Sequence, residues 1–174
     1  MAFDSTVGGP NANSYASVAD ADAYIALRLN AAEWTAADTA TKQAALVTAT
    51  SMLNEMFAWR GEPATTTQAL HWPATDAIDC AGNDISSTTI PAAVKNATYE
   101  QALYLLKFDA TQTPTAIMQG LKSASVGSIS SEFDSTMTPA KAQSRVSSIL
   151  RCYGTPQENI SGGSAVTNGY VIRG

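Results

Sequence analysis

Charge is what this chain has least of: 14% of its 174 residues are charged, against about a quarter in an average soluble domain. What there is runs acidic, with ten Lys plus Arg against fifteen Asp plus Glu and a formal net charge of −5. Neutralising phosphates supplies most non-specific nucleic-acid affinity, so a chain without a basic surplus is not expected to grip DNA tightly. The cations stand singly along the sequence, and only folding can gather them into a patch. Histidine is nearly absent too. The single His71, in Leu70-His71-Trp72-Pro73, reads as a packed loop residue, because no GxSxG, HExxH or paired metal-ligand spacing accompanies it. Gly8-Gly9 and Gly162-Gly163 lack the Lys and the helix of a phosphate loop. Asp76, Asp79, Asn83 and Asp84 miss the EF-hand spacing and its closing Glu. No catalytic residue, cofactor site or metal site is therefore expected, and the chain does not read as an enzyme.

Long apolar runs are missing as well, so no membrane span is expected. Met1 to Thr6 has neither a basic nor an apolar signal-peptide region, and the product is expected to stay inside the cell that makes it. Cys80 and Cys152 fit no metal spacing. One disulfide or two reduced core thiols are both open, and reduced thiols are the expectation.

What is present points to helices. The length suits one domain with a sizeable core, and low charge suits a surface covered by neighbouring copies. After a turn-rich lead-in, Ser17 reads as an N-cap, and Val18, Ala21, Ile25 and Leu29 form a stripe ended by Asn30. Asp38 opens a longer helix to about residue 59, stopped by Gly61. Residues 61–90 carry too many breakers for a helix, and a connection of that length is often functional. Trp72 and Pro73 in it read equally as a contact surface or as a covered flap of the core. Pro91 starts a third helix and Pro139 a fourth, closed by Gly154. Between them, Ser alternates with small apolar residues around Gly127, which predicts an extended hairpin near 121–134. Such a pair gains stability by joining a neighbour. The three tryptophans, Trp34, Trp59 and Trp72, could stack bases but in an Ala-rich helical protein read first as core.

The fold expected is thus mainly α: a bundle of about four helices over 1–153, a small β-hairpin, and a flexible C-terminal arm over 154–174. Gly, Ser, Asn and Thr dominate that arm, yet it ends in the β-prone Tyr170-Val171-Ile172-Arg173. A spacer tipped by such a peptide suits docking on another chain's sheet edge; the plain alternative is a frayed terminus.

Several blocks are familiar as an ordered set. Asn11-Ala12-Asn13-Ser14-Tyr15-Ala16-Ser17-Val18 running into Asp20-Ala21-Asp22-Ala23-Tyr24, Ala44 to Thr50 with Trp59-Arg60-Gly61, Gln68 to Pro73, Ile90 to Lys95, and Lys122 to Ile129 together resemble a tailed-phage family over roughly 11–133. Its members are labelled DnaT-like single-stranded-DNA-binding proteins and are similar to head-to-tail adaptors, also called head completion or connector proteins. The resemblance implies a structural virion protein of the neck, made in the host cytoplasm, that forms a ring of twelve copies under the portal. Its implied partners are the portal protein, a stopper or tail-completion protein, further copies of itself, and packaged double-stranded DNA sliding through without tight binding. Tyr170, Val171, Ile172 and Arg173 would dock on the portal. Val126, Gly127, Ser128 and Ile129 would pair between subunits or face the channel. The alternative is a single-stranded-DNA-binding replication protein stacking bases on Trp34, Trp59 or Trp72; a soluble assembly factor is a third reading.

Overall fold

The computed structural model describes residues 2–107, 123–126, 129–132 and 140–157. The lead-in is ordered by one side chain. Asn13 Oδ1 accepts the Asp4 N–H, its Nδ2 donates to the Ala2 carbonyl, and the Asp4 carbonyl accepts the N–H groups of Asn13 and Ser14. Helix α1 (Val18–Ile25) starts where expected, with the Ser17 hydroxyl accepting the Asp20 N–H; a side-chain acceptor here satisfies one of the orphan donors of a first turn. It stops at Ile25, four residues short of the expected end, in a turn that closes with Asn30 at φ 60°. Asn tolerates that left-handed region better than most residues. A short α2 (Ala32–Ala36) follows, which no periodicity announced, and it buries Trp34.

Helix α3 (Thr39–Met56) is capped by the Asp38 carboxylate, which accepts the Thr41 N–H. The expected continuation to residue 59 does not form. Phe57–Trp59 is strand β1, paired antiparallel with β6 (Gly154–Pro156) in the register Phe57↔Pro156, Ala58↔Thr155 and Trp59↔Gly154. Phe57 is buried there at 1% exposure, a position that a further helical turn would forfeit. Gly61 then has φ +77°, and a Cβ on it would lie 2.3 Å from the Thr75 carbonyl oxygen. Only glycine allows β2 (Glu62–Pro63) to pair with β3 (Ala74–Thr75) at this turn.

Helix α4 (Ala92–Lys107) packs along α3, and α5 (Ala140–Leu150) packs on α4. Strands β4 (Ser123–Val126) and β5 (Ile129–Glu132) pair antiparallel from Ser123↔Glu132 to Val126↔Ile129, so the hairpin expected near 121–134 is present. The fold is mainly helical with small antiparallel strand pairs. The described helices are not four alike, however: they number five and run from 5 to 18 residues. Gly154–Pro156, assigned by sequence to the arm, belongs to a strand, and the Gln157 N–H donates to the Met56 carbonyl at 2.7 Å.

The core has two parts, and both α3 and α4 serve each. Tyr15, Leu53, Phe57, Trp72, Val94, Ala97, Val146 and Leu150 build one. Ala21, Ile25, Trp34, Leu46, Ala49, Tyr99, Ala102 and Leu103 build the other. The alanines on the facing sides of α3 and α4 (Ala45, Ala49, Ala97 and Ala102) leave room for the rings on either side.

The cysteines correct the expectation of reduced core thiols. Cys80 and Cys152, 72 positions apart in sequence, form a disulfide with their Cα atoms 5.2 Å apart. Cys80 is exposed. The loop 77–85 is a small hairpin with an Ile78↔Asp84 bridge, and the turn after α5 brings Cys152 to it. A separation of that length carries no local signal, so only the packing of α5 decides it.

Candidate nucleic-acid interface

Among the described residues the aromatic side chains form two groups, one inside and one at the surface. In the first, Trp59 meets Tyr15 and Trp72 edge-on at 6.2 and 6.1 Å between centroids, and stacks on Phe57 and His71 at 5.7 and 6.2 Å. Tyr153 closes the set against Trp72. The Trp59 indole N–H and the Tyr15 hydroxyl both donate to Asn54 Oδ1. Burial raises the Tyr15 hydroxyl well above its ordinary pKa and lowers that of His71, so the imidazole is neutral at pH 7. Trp72 and Pro73 are both buried, which makes this stretch a flap of the core, with the Gln68 amide bracing the Leu70, His71 and Pro73 carbonyls. Trp34 is also buried, and Trp59 is half-buried. Two of the three indoles proposed for base stacking therefore have no free face.

The second group lies where α1, α4 and α5 meet. The turn after α1 brings Arg28 back over that helix, and its guanidinium lies over the Tyr24 ring, 4.3 Å from the centroid. Beneath it Tyr24 tilts on Tyr99 at 4.9 Å. Glu100 Oε1 accepts the Tyr24 hydroxyl at 2.9 Å and also takes Arg28 Nη2 at 3.2 Å and Arg145 Nη2 at 3.0 Å. Arg28 Nη2 additionally donates to the Tyr24 hydroxyl oxygen. Glu100 is only 12% exposed while Arg145 is 56% exposed, so the carboxylate is the sheltered member. Lys95 sits 3.9 Å from Asp20 at the same junction. Three cations separated by 67 and 50 positions in the chain thus share one face. Burial raises the Tyr99 hydroxyl to about 12, with help from the Asp20 charge. Next to this face, Lys42 lies over the Trp34 ring and pairs with Asp22 at 2.9 Å. Burial acts to raise the Asp22 pKa, but Lys42 and the Trp34 indole N–H outweigh it and hold it below the usual carboxylate value.

No motif marked this face. Sequence spacing assigns Arg28 and Leu29 to the first helix, whereas both lie in the turn after Ile25; Ala21 and Ile25 of the expected stripe are buried but Leu29 is exposed, and the partner Arg145 comes from a helix on the far side of the hairpin. Leu27 and Leu29, on either side of Arg28, are 88% and 90% exposed. Elsewhere, a shallow groove of about 400 Å³ between the lead-in and α3 is lined by Phe3, Asn13, Ala40, Gln43 and Val47 among others, none of them titratable. Of the other predicted site residues, Val126 and Ile129 are cross-strand partners in the hairpin. Gly127, Ser128 and Tyr170, Val171, Ile172 and Arg173 lie outside the described residues. No group of metal-ligating side chains occurs among the described residues, and no described helix is long and apolar enough to cross a membrane.

A small, mainly helical domain with a cation-and-tyrosine face is the class of protein this geometry defines. The chain belongs to the family described as "Putative DnaT-like ssDNA binding protein", whose model matches residues 1–174. No curated protein and no solved structure matches it.

Proposed function

We propose that this protein binds single-stranded DNA, weakly and with a marked salt dependence, through the face formed by α1, α4 and α5. The observation that carries the reading is the convergence of Arg28 and Arg145 on Glu100 beside the Tyr24 ring, with Lys95 paired to Asp20 where α4 meets α1, in a chain of the DnaT-like family. A cation held over a ring suits single strands, because a base can stack on the guanidinium and every nucleotide carries a phosphate. Net charge limits the strength. With three cations on the face and an acidic remainder, the slope of log affinity against log salt should not exceed about −2, at about −0.7 per phosphate contact. Anisotropy of a labelled oligo(dT) titrated at several salt concentrations tests this. Retention at low salt that is lost on approaching physiological salt supports the reading; no retention at any salt removes it.

A second reading, the head-to-tail adaptor, is favoured by the ordered blocks over 11–133 and by two almost fully exposed leucines on a charge-sparse surface. Apolar side chains standing clear of the surface are what a partner subunit covers. In this reading the protein forms a ring under the portal in the virion neck, extends the DNA channel and recruits the stopper, with the tail segment through Arg173 as anchor. Because β6 is part of the domain, the informative truncation ends after Gln157. Capture of the full chain by purified portal rings, with loss of capture on truncation, would put this reading first.

A further inference from the structure

The meeting of two guanidinium groups on one carboxylate oxygen has a charge consequence. Arg28 and Arg145 bring two positive charges, Glu100 brings one negative charge, and Tyr24 contributes a neutral donor. One cation is left in excess at a spot where donors already converge on a single oxygen. Glu100 bonds Nη2 of each guanidinium, whereas each group carries five N–H donors in a planar fork suited to phosphate.

We propose that Arg28 and Arg145 form the seat for one phosphodiester of single-stranded DNA, with Glu100 as the internal anion that holds both forks open and Tyr24 as the ring that supports Arg28 from beneath. This rests on the single-strand reading above and names the residues that carry it. The phosphate supplies the missing negative charge and takes the outward N–H groups. Glu100 plays two opposed parts: it orients the arginines, and it competes with the phosphate for them.

That opposition gives the test a sign. Binding of labelled oligo(dT) is measured across salt for the full chain and for R28Q, R145Q and E100Q. R28Q and R145Q should each weaken binding about 3- to 10-fold and flatten the salt slope by at most about 0.7, the worth of the one phosphate they hold together. E100Q should tighten binding by a similar factor, because it removes the competing charge and keeps a hydrogen-bonding side chain. A merely structural Glu100 would give the reverse, weaker binding in E100Q. Arg145 is more than half exposed, so R145Q leaves the core intact and still decides the matter if E100Q loosens the fold. If the unaltered chain binds and R28Q and R145Q bind equally well, the seat is overturned while the single-strand reading stands. If neither the unaltered chain nor E100Q retains oligo(dT) at low salt, both fall.

Discussion

The tryptophan layer around Trp59 and the tyrosine face around Tyr24 use the same kind of chemistry to opposite ends. In the first, rings meet edge-on and stacked around a sheltered Asn54, with the indole and phenol donors spent on that one side chain. In the second, the ring carries a guanidinium on its outer surface and its hydroxyl serves a carboxylate shared by two arginines. Large rings buy stability where they are enclosed and recognition where a cation keeps one side wet. The difference teaches that in this chain tryptophan count is a guide to the core, while the proposed single-strand reading rests on the tyrosine beside the cations.

Substitutions should separate the two regions. The largest effect belongs to the tryptophan layer. Trp72→Ala should lower unfolding stability by about 3–5 kcal/mol, the usual cost of emptying a buried large-ring site, read from urea denaturation; a loss under 1 kcal/mol would mean that the layer is not the core it forms here. Next comes the clip that ties this layer to the chain's later part. Reduction, or Cys152→Ser, should cost about 2–4 kcal/mol and lower the melting midpoint while the tyrosine face keeps its binding. An equal melting midpoint with and without reductant would show that the 77–85 loop and the turn after α5 hold together without the bond.

On the tyrosine face the expected order inverts. Tyr24→Ala should weaken oligo(dT) binding by about 0.5–1 kcal/mol, the range for a cation–π contact at an exposed site, because it removes the ring that holds the Arg28 guanidinium, with a smaller loss of stability than Trp72→Ala. Trp59→Ala should do the opposite, losing stability and sparing binding. Equal losses of binding in both would erase the distinction between the regions. The smallest effect is electrostatic. Asp22, Asp4, Asp38 and Asp79 all have folded pKa values below the ordinary one. A depressed carboxylate contributes stability that is present above its unfolded pKa and is lost as pH falls through the folded value. Stability should therefore be level near neutrality and decline below about pH 4. Asp22→Asn should remove part of that decline, by less than about 1 kcal/mol since the Asp22 carboxylate is about half exposed to screening water; an unchanged acid limb would show that Lys42 does not stabilise the Asp22 charge.

Much of the fold was legible because it is written locally. Ser17 and Asp38 cap the helices they were expected to cap, Gly61 and Asn30 take the positive φ that ends a segment, and Pro91 precedes α4 directly. The errors share one cause. Residues 57–59 continue a helical stripe by spacing, yet their partner is Gly154–Pro156, almost a hundred positions later, and backbone pairing across that distance outweighs a local preference. The same distance hid the disulfide. It also hid the cation face, whose three charges look isolated until α1, α4 and α5 come together.

The sequence alone therefore determined a mainly helical chain with its caps, its turns, its short hairpin and its acidic, charge-poor surface, because each depends on neighbours within a few residues. Tertiary structure alone decided which rings are enclosed, that Cys80 meets Cys152, where the last strand joins the domain, and that Arg28 and Arg145 share Glu100. Those outcomes depend on helix packing that brings together segments tens of residues apart, and on burial that gives a charge or a ring its energy only once water has been removed from around it.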